Sequence, residues 1–588
     1  MNKLLIVAVF SLFIAGCKNE PKENTQLKTL FEQYYEERLQ FFPLEATSQG
    51  DNRFNDKLPL DISESYRQNL FGFYTRYINE LDKIEIKNLS EDELIQFNTL
   101  RFSVNTEIEG LSFPTHLIPF NQFTGLPLTF AQLGSGEASQ PFKTTEDYDN
   151  WLKRIDQFVV WADTAVANFD KGIANKFVLP RSLVVKMIPQ LHDLAAPKAS
   201  ENLFFGPIKK IPASFTSEQK ALYTQKYTDA IENKIRPTFK KLESYLSTTY
   251  LKAARPSSGV GAFKIGKKYY DYQTYYWTTS LKTPDEIFQT GLSEVSRIQK
   301  EMLKVKDQVG FKGDLPAFFE SVKSDPKLMP YKNADEVLAA FRAIQSKIDP
   351  NLKKMFNNTP KTGFEIRRTE AFREASASAE YMQGSADGSR PGVFYVPIPD
   401  ATKFNVTSGM ESLFLHEAIP GHHYQISLQQ ENLNIPKFMR FGWYGAYGEG
   451  WALYTESLGK ELGLYTDPYQ YLGSLGDEMH RAIRLVVDVG IHIKGWSREE
   501  ALNYMLQNEA ISKDGAIAEI ERYMAIPGQA LSYKIGALKI RELRAKYTTA
   551  LGEKFVLSDF HDQVLKNGCL PLSVLEETLD AWANKLSK

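Results

Sequence analysis

Apolar residues along the chain recur at three- and four-residue intervals far more often than at every second position, and this spacing predicts helices from one end to the other. Helix starts are marked by a Ser, Thr or Asn three residues ahead of a Glu, a pairing that satisfies the free N–H groups of a first turn. The pairs are Ser90 and Glu93, Thr283 and Glu286 with Pro284 at the first helical position, Asn333 and Glu336, Ser408 and Glu411, Ser497 and Glu500, and Ser573 and Glu576. Strand signals are confined to residues 261–270, 363–367 and 392–397, the last flanked by Pro391 and Pro397 and therefore read as an edge strand. Segments 111–136 and 207–215 are apolar, rich in Pro and Gly, and read as ordered surface loops. The expected fold class is mainly α (α+β), a helical body with a small antiparallel or mixed sheet.

The first twenty residues follow another pattern. Met1-Asn2-Lys3 precedes an apolar run over residues 4–16 that only Ser11 interrupts, too short to span a bilayer and suited to a secretory signal. Ile14-Ala15-Gly16-Cys17 resembles the bacterial lipobox. That resemblance implies removal of residues 1–16, lipidation of Cys17 and a flexible tether over 17–25 that holds the protein to a membrane. No Asp follows Cys17, which by resemblance to sorting in two-membrane bacteria favours the outer membrane of the cell envelope. Beyond the tether the pattern divides into an N-terminal helical region (26–260), a mixed region with the sheet (261–405) and a C-terminal helical region (406–588), within one compact body.

Charge and composition narrow the chemistry. Seventy Lys and Arg against 72 Asp and Glu leave a net charge of −2 over 588 residues, with no basic footprint for nucleic acid. A mean hydropathy of −0.35 and the lack of a later apolar run of spanning length exclude a polytopic membrane protein. Cys17 and Cys569 provide no disulfide framework and no CxxC pair, so any metal must use His and carboxylates, and Cys569 reads as a packing thiol. Nucleophile-elbow, phosphate-loop and dinucleotide signatures are missing. The stretch Tyr269, Tyr270, Tyr272, Tyr275 and Tyr276 reads as a packed aromatic surface rather than a sugar platform.

Five of the eight histidines, His416, His422, His423, His480 and His492, gather in one short stretch. In an HExxH helix, two His at i and i+4 bind zinc and the Glu between them is general base to the activated water. Here His416-Glu417 is followed by Pro420 at i+4, which lacks the N–H for the His416 carbonyl, and by Gly421; together they predict a kink or bulge just after the pair. On an unbroken helix His423 lies near the face of His416, about 10 Å further along the axis. With two residues absorbed by a bulge, His422 takes that role instead. A third ligand is needed, and Glu449, opening the apolar segment Glu449-Gly450-Trp451-Ala452-Leu453-Tyr454, is the choice. Glu456, two turns on, faces the same side as a support for a ligand or a partner for a substrate amine. Arg484, Asp488 and His492 share a helical face: Arg484 could anchor a substrate carboxylate and Asp488 orient a ligand, or all three form an internal salt-bridge ladder. Tyr533, with His492 or His423 as alternatives, is the candidate donor to a developing oxyanion. An edge strand carrying Tyr395 would pair with an extended peptide. A kinked core helix with hydrogen-bonded histidines is the competing account of the cluster.

The double motif, His416-Glu417-x-x-Pro420-Gly421-His422-His423 with Glu449-Gly450-Trp451-Ala452-Leu453-Tyr454, resembles the bacterial domain of unknown function 885, which is grouped with gluzincin-type zinc peptidases. The resemblance extends over roughly residues 30 to 580 and implies a zincin-like helical body. It further implies one Zn²⁺ per chain on His416, His422 and Glu449, Glu417 as base and a peptide as substrate. The sequence departs from the gluzincin pattern in the Pro-Gly insertion and in a longer gap between His422 and Glu449. The competing function is a non-catalytic, lipid-anchored binding or scaffold lipoprotein on the same frame.

Overall fold

A computed structural model describes residues 24–587, apart from 371–373, 375–377, 386, 387, 389 and 408. The signal, Cys17, most of the tether and Ser408 thus lie outside the described residues.

Capping chemistry sets many helix starts. Ser90, Thr283 and Ser497 each form the reciprocal box with Glu93, Glu286 and Glu500, and the Asn333 side chain accepts from the Glu336 N–H. The Ser573–Glu576 box does not form, and the Ser408–Glu411 pairing falls outside the described residues. The helix Met410–Glu417 is capped by Gly409, and the Glu411 carboxylate accepts from the Tyr465 N–H at 2.8 Å and from Lys347 at 3.1 Å. The helix Leu572–Ser587 begins one residue before Ser573, and Glu576 pairs with Lys539 at 2.7 Å.

The sheet has three strands, β1 (Phe364–Arg368), β2 (Glu380–Met382) and β3 (Gly392–Val396), in the order β1-β3-β2. β1 runs parallel to β3 with Phe364 opposite Gly392, and β2 runs antiparallel with Glu380 opposite Tyr395. The 392–397 segment is therefore central rather than an edge. Its prolines sit just beyond both ends of the strand, so no ladder N–H is lost, and all five residues are buried. Residues 261–270 are not a strand. They form a short turn, Val260–Ala262, and the start of the helix Gly266–Thr278, whose Tyr270, Thr274 and Thr278 fall four apart on its buried side. The loops expected at 111–136 and 207–215 contain the helix Leu126–Gly134 and the turn Gly206–Lys209.

Buried side chains form two large clusters. One centres on the helix Thr145–Ala174, with Trp151, Phe158 and Trp161. The other surrounds the sheet and the helices Gly445–Glu456 and Leu531–Leu551, with Phe394 and Trp451. The helix Pro468–His492 supplies Met479, Ile483 and Val487 to the first and Leu485 and Val489 to the second, so it is buried on two sides. The helices Gly445–Glu456 and Leu531–Leu551 touch backbone to backbone. A Cβ on Gly450 would stand 2.6 Å from Gly536 Cα, and one on Gly536 would stand 1.7 Å from the Ala446 oxygen, so neither position accommodates a side chain. Among the described residues no helix is long and apolar enough to cross a membrane.

Candidate metal centre

The helix carrying His416 ends at Glu417, and a new one, His422–Glu431, begins after four intervening residues. The interruption is a clean break rather than the kink or bulge expected from Pro420: Ala418 leaves helical space at φ −103°, ψ −103°, and Gly421 lies at φ −77°, ψ −132°. A Cβ on Gly421 would fall 1.9 Å from the His416 oxygen and 2.2 Å from that of Leu415, so the chain can turn this tightly only at glycine. The helix Gly445–Glu456 fastens both sides of the break. Trp451 Nε1–H donates to the Pro420 oxygen at 2.8 Å and Thr455 Oγ1–H to the Leu415 oxygen at 2.8 Å.

This turn brings His422 towards His416. Their rings stand nearly perpendicular at 4.8 Å, and Glu449 Oε2 lies 3.3 Å from His422 Nε2 and 3.6 Å from His416 Nε2. One ligand atom from each of the three residues lies within 4.8 Å of the others. Glu456 Oε1 lies 2.7 Å from His416 Nδ1. A carboxylate there accepts the Nδ1 proton, which leaves the Nε2 lone pair of a neutral His416 facing an anionic oxygen. Two electron-rich atoms at that spacing need a proton or a cation between them. Burial opposes protonation of His416, but Glu449 and Glu456 outweigh it and raise its pKa to about 10. Burial pushes Glu449 up, yet His422 and His416 hold it well below the usual carboxylate range. Two imidazoles and one carboxylate around a point that attracts positive charge are the donor set of a three-ligand divalent site, and they fit zinc. His422 Nδ1 is buried without a hydrogen-bond partner.

Glu417 lies beside the cluster, 7% exposed. Burial raises its carboxyl against the pull of His416 and His422, and it makes no side-chain hydrogen bond among the described residues. The cluster opens into a cleft of about 1280 Å³, whose lining includes His416, Glu417, His422 and Glu449, with Arg481, Arg484 and Tyr533 as well.

The other expected site residues divide by what already holds them. Tyr533 lines the cleft, its hydroxyl accepting from Arg522 at 3.3 Å and Gln529 at 3.5 Å. Arg484 lines it too, but as part of the wall: it donates to Glu519 at 2.9 Å and to the Tyr523 hydroxyl at 3.3 Å, and it lies 4.5 Å over the Tyr533 ring. Glu519 also accepts from Tyr523 at 2.8 Å and stands 3.3 Å from His480 Nε2. The alternative ladder of Arg484, Asp488 and His492 is absent, because Asp488 accepts from Tyr270 at 2.6 Å and from the Gly528 N–H at 3.0 Å. His492 does not reach the cleft. It is 1% exposed, and both its nitrogens are engaged, by the Val260 N–H at 3.1 Å and the Tyr523 carbonyl at 3.0 Å. His423 is also withdrawn, packed on Phe364 with Nδ1 3.0 Å from the Tyr381 hydroxyl. Glu456 faces His416 rather than the cleft, and Tyr395, on the central strand, does not line it.

Tyr381 and Arg481 also line the cleft, and the sequence pattern assigns neither of them a role there. Tyr381 sits on β2, three residues long and too short to show alternation. Arg481 is spaced four from Asp477, which mimics an ordinary surface pair. Its contacts to Asp477 are long, 3.2 and 3.4 Å, and its buried Nε has no partner.

The family described as bacterial protein of unknown function (DUF885) matches residues 43–579, and the chain belongs to it. Among solved structures, a "putative lipoprotein" of Colwellia psychrerythraea is 29% identical, with a TM-score of 0.88 over 95% of this chain and 99% of that one. A "putative lipoprotein of unknown function" of Shewanella oneidensis shares the fold at 21% identity and a TM-score of 0.73, over 94% and 99% of the two chains. No curated protein matches.

Proposed function

We propose that the protein is a zinc-dependent peptidase of gluzincin type, exported and anchored to the outer membrane through lipidated Cys17. The observation that carries the reading is the convergence of His416 Nε2, His422 Nε2 and Glu449 Oε2, with Glu456 fixing the His416 tautomer and Glu417 unpartnered beside them. The lipobox resemblance and the printed descriptions of the two structural relatives support the anchor.

In this reading His416, His422 and Glu449 hold one zinc ion, which supplies Lewis acidity to a water and to a substrate carbonyl. Glu417 removes the proton of the attacking water and delivers it to the leaving nitrogen; its buried, raised carboxyl suits it to both halves of that exchange. Tyr533 and Arg481 face the same cleft and offer a hydroxyl and a guanidinium to charge developing on the carbonyl oxygen. A peptide lies along β2, whose Glu380 and Tyr381 line the cleft, and extends that strand by backbone hydrogen bonds.

Metal analysis and hydrolysis of a peptide library test the reading together. Near one equivalent of zinc is expected, lost in His416→Ala. Glu417→Gln should keep the metal and lose about 10²–10⁴-fold in rate. A protein that binds no zinc and cleaves nothing would instead be a scaffold on this frame.

A further inference from the structure

A second cavity, of about 510 Å³, is lined in part by Trp443, whose ring is 5.9 Å from that of His422. The volume falls in the usual range for small-molecule sites. Aromatic rings form much of its wall, from Tyr34, Tyr276, Trp277, Trp443 and Tyr444, and Glu107 of the helix Glu91–Leu111 lies among them.

Two cations and two carboxylates line this cavity, but only one cation and one carboxylate pair with each other. Arg38 is bound by Glu45 through both terminal nitrogens, one of them at 3.0 Å, and so neutralises that residue. Arg440 donates through Nε and Nη2 to the Gln430 carbonyl at 3.2 and 2.7 Å and lies over the Phe441 ring. Glu107 makes no hydrogen bond and no ion pair among the described residues. Burial pushes its carboxyl up, Arg38 offsets this in part and Glu45 adds to it. Glu107 and Tyr276 line the same cavity, and the carboxylate raises the Tyr276 hydroxyl. Together with Tyr276 and Trp277, Glu107 also lines a neighbouring pocket that extends to Pro527, so the group is reached from two sides.

An unpaired carboxylate in a cavity lined by aromatic rings can recognise a desolvated cation, through a charge-assisted hydrogen bond and cation–π attraction together. Neutral hydroxyls would leave the partly buried charge without a counter-ion. We propose that this cavity binds an organic cation, an alkylammonium or guanidinium group, with Glu107 as counter-ion and Tyr276, Trp277 and Trp443 as aromatic walls. The site is separate from the metal cluster and does not depend on its chemistry. Trp443, shared between the cavity wall and the surroundings of His422, would nonetheless place a basic group of a substrate near that cluster.

Calorimetry on the purified protein after EDTA treatment keeps the test apart from hydrolysis. The probes are arginine amide and lysine amide, each Nα-acetylated, with Nα-acetylated norleucine amide as the uncharged isostere and N-acetylglucosamine as a neutral sugar. Binding of the two basic probes is expected, accompanied by a change in tryptophan fluorescence. It should weaken at least tenfold in Glu107→Gln, and several-fold in Tyr276→Leu, which keeps the carboxylate. Circular dichroism and melting temperature establish that each variant is folded. Equal binding by wild type and folded Glu107→Gln, binding of norleucine amide as tight as that of lysine amide, binding of the sugar alone, or no binding of either basic probe would overturn the proposal. Since no metal is present, any of these results leaves the peptidase reading untouched, and a failure of hydrolysis leaves this one untouched.

Discussion

The indole of Trp451 donates to the carbonyl oxygen of Pro420 across 2.8 Å, so the helix that carries Glu449 holds the backbone break that delivers His422. Thr455, one turn along that helix, does the same for Leu415 on the other side of the break. The spacing of three candidate ligands is thus set by main-chain contacts as well as by their own side chains.

Trp451→Phe keeps an aromatic ring in the core and deletes the donor. The buried Pro420 carbonyl is left unsatisfied, at a cost of about 1–3 kcal/mol in stability. Zinc affinity should fall with it, as the His416–His422 approach loosens. Urea unfolding and competition with a chelator read the two effects. Unchanged affinity in a destabilised variant would show that the break holds its shape without this bond.

Glu456 tests how His416 is oriented. Glu456→Ala removes the acceptor at Nδ1 and should weaken metal binding by about 10- to 100-fold, whereas Glu456→Gln, which still offers an oxygen, should lose less. Equal loss in both variants would mean that the charge of Glu456, rather than its hydrogen bond, supports the site.

Much of this centre was legible before any coordinates, because its signals are local. His416-Glu417, the helix-breaking Pro420-Gly421 and the Gly-flanked Glu449 are all written in short stretches of sequence. The choice between His422 and His423 was not, since it depends on the backbone angles of residues 418–421, and those are fixed by Trp451 and Thr455 from a distant helix. The same limit explains Arg484 and His492. Helical spacing put them on one face, but what each touches is decided by Glu519, Tyr523 and Val260, which reach them from other elements. The false strand at 261–270 arose from a Tyr- and Lys-rich run whose Gly259 and Gly261 press against the backbone of Ile491 and His492, a contact that no local pattern announces.

Lys534 is fully buried between two carboxylates, 2.7 Å from Glu294 and 2.7 Å from Glu478, while Arg297 and Arg541 share Glu478 at the same distance. The network joins the helices Pro284–Gln308, Pro468–His492 and Leu531–Leu551. Lys534→Met preserves the stem and removes the charge, leaving two acids to share two arginines. About 3 kcal/mol of stability should be lost, because Glu294 and Glu478 each lose the buried ammonium held 2.7 Å from them. The double variant Lys534→Met with Glu294→Gln should recover part of it, and a double-mutant cycle by denaturant unfolding gives the coupling.

Acid should destabilise the protein through two histidines far from solvent. His492 accepts from the Val260 N–H and donates to the Tyr523 carbonyl, and His561 donates to the Met355 carbonyl and accepts from the Tyr454 hydroxyl at 2.7 Å, so each neutral tautomer has both nitrogens satisfied. Burial lowers each pKa to about 3. In the unfolded chain the same groups take a proton below about 6.5, so between those values the unfolded state binds more protons and stability falls as the pH drops. At pH 4.5 each contributes a loss on the order of 2–3 kcal/mol. Asp488 acts with the opposite sign. Burial raises it to about 7, above its unfolded value near 3.9, so it gains stability as the pH falls through that interval. Denaturant unfolding between pH 7 and 4.5 separates the contributions: His561→Gln should flatten the loss and Asp488→Asn should steepen it. A slope unchanged in His561→Gln would show that the imidazole already titrates in the folded protein.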